Sequence, residues 1–323
     1  GGEKGRLAEA PEEFEPGGYS GGVTKSGRRE RVPVPSLPQE IEEPVLIVEP
    51  PRGLLRLDWK ELWQYGELLF FLTWRDLKVK YRQALLGVAW AVLVPFMQMV
   101  VFSFVFKKVA NLSTSGLPGP VFYYVNLLPW TYFANSLSMS SGSLLSNTSF
   151  LTKVYFPRVI IPTVPCLASL IDFAIAFVLL GPLLWYFDTP VGAMTLFLPV
   201  LMAVAFIVAL GTGFLFSALQ VRYRDIRYLL PFITQIWMYG TVIFPFSALS
   251  EYGWLRYVYA LNPMAGVVEG FRWCLFSETI RAAGYTADPP WFLLAIGAPV
   301  AWAILLTGLF YFKKMERTFA DII

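Results

Sequence analysis

The chain has 323 residues, of which 56% are hydrophobic, 17% aromatic and 15% charged, with a formal net charge of +3. Exposed to water, that apolar excess would drive aggregation, so a soluble domain is excluded. The absence of histidine removes the usual proton relay and metal ligand, and Cys166 and Cys274, both in apolar sequence, support neither a zinc site nor a disulfide framework.

Residues 1–56 contrast with everything after them. Gly17-Gly18, Gly21-Gly22, recurrent prolines and charges such as Glu12-Glu13 and Arg28-Arg29-Glu30-Arg31 bury too little apolar surface to offset ordering entropy. A disordered cytoplasmic tail is expected, with Val45-Leu46-Ile47-Val48 read as an extended linker rather than an edge strand. No charged start leads directly into a short apolar stretch and cleavage site. Insertion is therefore expected to rely on the first spanning helix.

Residues 57–83 predict an amphipathic helix at the membrane interface. Trp59, Leu62, Trp63, Leu69, Phe70, Trp74, Leu77 and Tyr81 fall near one face, with Lys60, Glu61, Gln64, Glu67, Arg75 and Lys78 largely opposite. Asp58 and Glu61 have capping-box spacing. Such a helix is expected to lie on the membrane rather than cross it. Arg75 and Asp76 are sequence neighbours and do not face one another on a helix, so pairing with other elements is expected.

From Leu85 onward, apolar blocks of about 20 residues recur, each long enough to cross a hydrocarbon core of ~30 Å as a helix. A bilayer admits only internally satisfied backbone, which predicts an all-α integral membrane protein, with residues 84–323 as a transmembrane domain of six helices. Spans are placed at Leu85–Phe106, Val121–Leu145, Ile160–Phe187, Met194–Leu219, Leu229–Phe246 and Trp291–Phe312. Thirteen Lys and Arg fall in the connections on the side of the termini, against five (Lys107, Lys108, Arg256, Arg272, Arg281) on the other. The positive-inside rule then puts both termini in the cytoplasm of a multi-pass protein.

The 147–159 connection carries Phe150, Leu151, Tyr155 and Phe156 between Lys153 and Arg158, an aromatic surface for a soluble partner. Arg222, Arg224, Asp225 and Arg227 precede the fifth span, most simply as positive-inside anchors with one charge pair. Asp172 is the ionisable residue inside a block, and it is expected to make a helix–helix hydrogen bond. Aromatic and polar side chains recur at helical spacing in the first span (Trp90, Met97, Phe104) and the fifth (Tyr228, Phe232, Gln235, Tyr239), faces suited to stacking on sugar rings. Between Ser247 and Pro290 the outer side is too apolar for an ordinary loop. There Pro263–Phe276 reads as a short re-entrant or gate helix, with Asn262 as N-cap and Pro263 at N1. Glu269 and Arg272 on it are expected to be paired and to hold it closed.

No Gly-x-x-x-x-Gly-Lys-Ser/Thr loop is present; Gly21-Gly22-Val23-Thr24-Lys25-Ser26 lacks the spacing. No catalytic, cofactor-binding or metal-ligating residues are expected on this chain.

Four segments carry a family resemblance. Thr73-Trp74-Arg75-Asp76-Leu77-Lys78-Val79-Lys80-Tyr81-Arg82-Gln83 with Leu86-Gly87-Val88-Ala89-Trp90 and Pro95 comes first. Leu151-Thr152-Lys153-Val154-Tyr155-Phe156-Pro157-Arg158, Arg224 through Phe232, and Leu261-Asn262-Pro263-Met264 leading to Glu269-Gly270-Phe271-Arg272 follow in order. Together they resemble permease subunits of ATP-binding-cassette exporters for lipid-linked polysaccharides, of the O-antigen, capsule and teichoic-acid type. The resemblance implies a homodimer in the bacterial inner membrane, joined to two nucleotide-binding ATPase subunits that hold ATP and Mg. It implies a lipid-linked glycan substrate, membrane lipids as surroundings and no nucleic-acid partner. It makes the 147–159 segment a coupling helix, places Asp225 near a second ATPase contact, and makes the first and fifth spans line the conduit. The alternatives are the same architecture exporting teichoic acid or a small lipophilic molecule, and a membrane-embedded glycosyl or phosphoglycosyl transferase. The last needs clustered acidic residues at one membrane face, where the chain has scattered singles.

Overall fold

Backbone that cannot reach water must bond to itself, and every described element is a helix. The computed structural model describes residues 63–82, 86–153, 156–243, 246, 253–285, 287–316 and 319. The expected tail, the linker at 45–48 and the capping box at 58–61 lie outside the described residues.

In chain order the helices are α1 (Gly66–Arg82), α2 (Ala89–Phe102, continuing as a π-helix over Ser103–Val109), α3 (Gly119–Ser146), α4 (Thr148–Lys153) and α5 (Ile160–Tyr186). A 3-10 turn over Ala193–Phe197 leads into α6 (Leu198–Arg222). Then come α7 (Ile226–Met238, continuing as a π-helix over Tyr239–Ile243), α8 (Leu255–Ala260), α9 (Pro263–Ala282) and α10 (Trp291–Glu316). Four runs, Ala89–Val109, Ile160–Tyr186, Ala193–Arg222 and Trp291–Glu316, are long and apolar enough to cross a membrane.

α3 has 28 residues and is long enough to span, yet it carries Asn126, Asn135 and a series of serines. It tolerates them because protein surrounds most of it: α2, α5, α6, α7 and α9 all pack on α3. Its polar groups bond to neighbouring backbone, Tyr124 Oη donating to the Ala176 carbonyl at 2.6 Å and Ser140 Oγ to that of Pro162. The main core, with Phe122, Tyr123, Phe133 and Phe271 fully enclosed, is built around α3. A second cluster joins Leu72, Leu144, Phe156, Phe214 and Phe312.

The closest helix crossing is α6 on α10. A Cβ on Gly211 would lie 2.6 Å from the backbone N and Cα of Leu305, and Gly308 faces the Gly211 carbonyl. Small residues at both positions let the two backbones touch, which in lipid replaces the missing hydrophobic drive by van der Waals contact.

Two predicted elements differ in extent or setting. α9 begins as expected at Pro263 but runs to Ala282, 20 residues rather than 14. Nothing in Ser277–Ala282 stops a helix. The stop is Gly284 at φ +82°, where Tyr285 N–H donates to the Ile280 carbonyl, as in a Schellman end. α9 is enclosed by α3, α6 and α10 rather than resting on a surface. α1, expected to lie on the membrane, runs beside the first half of α5 with Leu72 and Leu77 buried. Its predicted apolar face is divided: Leu69 packs on the second cluster, while Trp63, Phe70 and Trp74 stay exposed.

Candidate functional site

Where α2 and α7 lean on α3 they leave a cleft of about 510 Å³, floored by α3 and α5 and reached by the last turn of α1. On α3, Thr131, Asn135 and Ser138 fall at four- and three-residue spacing and line it together. Trp90 of α2 also lines it, Trp130 of α3 is 2% exposed and packs on Phe133 and Trp237, and Gln235 of α7 and Asp172 of α5 complete the lining used below. The two bordering helices each carry an internal proline on the wall, Pro95 and Pro231.

Of the residues predicted to line a conduit, Trp90 and Gln235 stand on this wall. Met97, Phe104, Tyr228, Phe232 and Tyr239 do not; they sit on exposed faces of α2 and α7. Gln235 reaches from the cleft toward that outer face, donating from Nε2 to Tyr239 Oη at 3.3 Å. The α3 stripe escaped the sequence reading. Its signal is three polar side chains on one face of a membrane-length helix, where such groups are costly unless they serve water or a ligand.

Asp172 does join two helices, as expected, through an ion pair. Lys80 Nζ lies 2.5 Å from Oδ2, and Tyr81 Oη donates to Oδ1. Both partners belong to the last turn of α1, and all three residues line the cleft. Burial, and after it the Asp172 carboxylate, push the Tyr81 phenol well above the ordinary tyrosine range, so it remains the proton donor.

The connection after α3 meets α1 through Arg75. Its guanidinium bonds Asn147 Oδ1 at 3.0 Å and lies 5.0 Å from the centre of the Phe150 ring. It also pairs with Asp76 at 2.7 Å, against the expectation that these neighbours cannot meet. The three-methylene stem of arginine wraps around the helix, a reach that Cβ directions alone do not show. Phe150 is 41% exposed and available to a partner. Phe156, assigned to the same outward surface, is instead 7% exposed and belongs to the core beneath the connection. Arg158 ties that core to the end of α10, Nη1 donating to the Glu316 carbonyl at 2.7 Å. Leu151 and Lys153 lie in α4, and Tyr155 lies outside the described residues. Asp225 is exposed immediately before α7, its carbonyl accepting from the backbone of Tyr228 and Leu229.

At the opposite end, Asn262 caps α9 as predicted, its side chain accepting from Met264 N–H at 3.1 Å, with Pro263 in the first turn. The same side chain donates to Thr241 Oγ1 at 2.8 Å. This matters because the π-helical end of α7 departs from α-helical pairing. Asn126 of α3 donates to the Val242 carbonyl at 3.1 Å and Tyr259 of α8 to that of Thr241, so this irregular backbone is satisfied by side chains. Glu269 and Arg272 do pair, one turn apart on α9. A pair within one helix neutralises charge but ties that helix to nothing. The tie is Arg272 over the Phe122 ring of α3, 5.0 Å from its centre.

Residues 67–276 match the family model described as ABC-2 type transporter. The chain is 28% identical over 246 residues, 76% of its length, to the O-antigen export system permease protein RfbA of Myxococcus xanthus, covering 92% of that protein. It is 25% identical over 260 residues, covering 80% of itself and 95% of the relative, to the O-antigen export system permease protein RfbA of Klebsiella pneumoniae. It is 22% identical over 204 residues, covering 60% of itself and 76% of the relative, to the polysialic acid transport protein KpsM of Escherichia coli.

Proposed function

We propose that this chain, which belongs to the ABC-2 type transporter family, is the permease of an exporter that moves a lipid-linked polysaccharide across the bacterial inner membrane. Two copies join two ATPase subunits, and ATP and Mg are held by those partners. The chain crosses the membrane six times with both termini in the cytoplasm, in line with its loop charges.

The observation that carries this reading is the cleft, where Thr131, Asn135 and Ser138 present polar groups and the half-exposed Trp90 offers its indole. Lipid tails can pack on apolar lining residues such as Val94, Phe173 and Met238, but they gain nothing from the polar stripe. A sugar does: its hydroxyls bond to the stripe and an apolar ring face stacks on the Trp90 indole, contacts loose enough for a polymer to slide. The exposed faces of α2 and α7, bearing Met97, Phe104, Phe232 and Tyr239, fit coverage by the second copy. Phe150 and Asp225, exposed near the ends of α3 and α7, are the contacts offered to the ATPase. The relatives named for O-antigen export and polysialic acid transport support a polysaccharide over a small lipophilic substrate.

The test is deletion of the gene in its host, with surface polysaccharide measured by immunoblot and lipid-linked polymer measured inside the cell. Loss of surface polymer with accumulation inside, restored by the native gene, is expected. Restoration by an Asn135→Leu gene should fall short by about tenfold, the worth of one or two lost hydrogen bonds. Unchanged surface polymer after deletion would overturn the reading.

A further inference from the structure

α1 is clasped at two places. Arg75 binds Asn147 and Phe150 at the connection after α3, and about one and a half turns further on, Lys80 and Tyr81 close on Asp172 of α5. Leu72, just before the first clasp, and Leu77, between the two, give an apolar seat. Apolar seats tolerate sliding, whereas the two polar clasps are directional and fix where α1 stops.

The second clasp stands on the cleft wall. Asp172 is 7% exposed, so losing both partners would strand a carboxylate away from water. Its oxygens are divided, however: Oδ2 to Lys80 and Oδ1 to Tyr81. Lys80 is the more exposed partner, with 35% of its side chain accessible, and it can swing to water while Tyr81 still bonds the acid. Such an arrangement has two states, clasped and half-clasped, rather than a continuum.

We propose that Lys80, Tyr81 and Asp172 form a latch across the α1 end of the cleft, and that Arg75 carries displacement of the 147–153 segment to it. The latch rests on the reading above, in which that segment meets the ATPase and the cleft carries glycan. Asp172 and Lys80 are then positioning residues: they bind each other and set when the cleft is open. This accounts for an acidic group inside a membrane-length helix of a chain with no proton chemistry to run.

The experiment uses the full complex with its ATPase subunit in lipid nanodiscs. Ser138→Cys reports cleft access through its modification rate by a charged methanethiosulfonate, and cells report polymer exported per ATPase activity. Asp172→Asn and Lys80→Met should each raise the modification rate about tenfold and lower export relative to ATP hydrolysis by a similar factor. The swap Lys80→Asp with Asp172→Lys should return both toward native values, which a purely structural role would not require. If Asp172→Asn fails to accumulate, Lys80→Met, which removes the exposed partner, gives the same two readouts. Native rates in the single variants, or a swap no better than either single, would overturn the latch. Absence of export by the native complex would instead sink the transport reading, with the thiol rates still judging the latch.

Discussion

Gly211→Ala adds one methyl group where α6 crosses α10. The new Cβ would stand 2.6 Å from the Leu305 backbone N and Cα and 2.8 Å from the Ile304 carbonyl carbon, where ordinary contact begins at 3.4 Å. These are backbone atoms, so no rotamer change relieves them, and the helices must part by roughly 1 Å. A gap of that size forfeits about a quarter to a half of each dispersion contact along the crossing, and overpacking of this kind costs about 1–3 kcal/mol. The greater helix preference of alanine returns about 0.5–1 kcal/mol. The α6–α10 pairing is the most extensive among the described helices, so the expected net loss is ~1–2 kcal/mol, or about five- to thirtyfold in the unfolding equilibrium. Gly308→Ala, aimed at the Gly211 carbonyl, should cost as much, and the double variant less than the sum because the helices have already parted. Gly181→Ala in α5, with nothing within 4 Å, is the control and should be neutral or slightly stabilising. Reversible unfolding of the detergent-solubilised chain in rising dodecyl sulfate, followed by tryptophan fluorescence, measures all four. A Gly211→Ala protein as stable as native, beside a Gly181→Ala protein that is weaker, would refute the close-crossing explanation.

Glu269→Gln leaves the Arg272 guanidinium, 6% exposed, without its counter-charge. The same unfolding assay should show a loss of about 3–5 kcal/mol, largely recovered when Arg272→Met is added. Arg75→Ala frees α1 from Asn147 and Phe150, and co-purification of the ATPase subunit should fall severalfold; equal recovery would separate α1 from coupling. For orientation, Lys108→Cys should react with an impermeant thiol reagent in intact cells while Arg224→Cys stays protected, and the reverse pattern would invert the topology.

What could be read from the sequence was what local chemistry decides. The start of α9 is an example: Asn262 before Pro263 is a helix-entry signal complete within two residues, and the cap bond forms. Its end was placed six residues early because apolar spacing fades after Phe276, while the actual stop depends on the backbone at Gly284. Asp172 stood out as an acid in an apolar block, but its partners Lys80 and Tyr81 lie 92 and 91 residues away, a pairing only the tertiary fold creates. Phe150 and Phe156 looked equivalent, two aromatics in one short connection. Which of them turns inward depends on whether Phe312 and Phe214 are present to receive it, and they receive Phe156. The polar stripe of α3 is invisible to average hydropathy, because Thr131, Asn135 and Ser138 are diluted by apolar neighbours and stand out only as a face.

The two helices that border the cleft both end in π-helix, Ser103–Val109 on α2 and Tyr239–Ile243 on α7, and among the described residues these are the π segments. Each adds slack to a rod already interrupted by an internal proline, Pro95 or Pro231, since a π turn holds more residues than the α turn it replaces. Both lie against the first half of α3, near Gly119 and Asn126, so the slack is gathered at one end of the molecule. A rod with a slack end can twist there without losing its remaining bonds, passing its surplus residue along like a ruck in a carpet. The far end of the α7 wall is thus held by a side chain of a neighbouring helix as well as by its own backbone, Asn126 of α3 donating to the Val242 carbonyl.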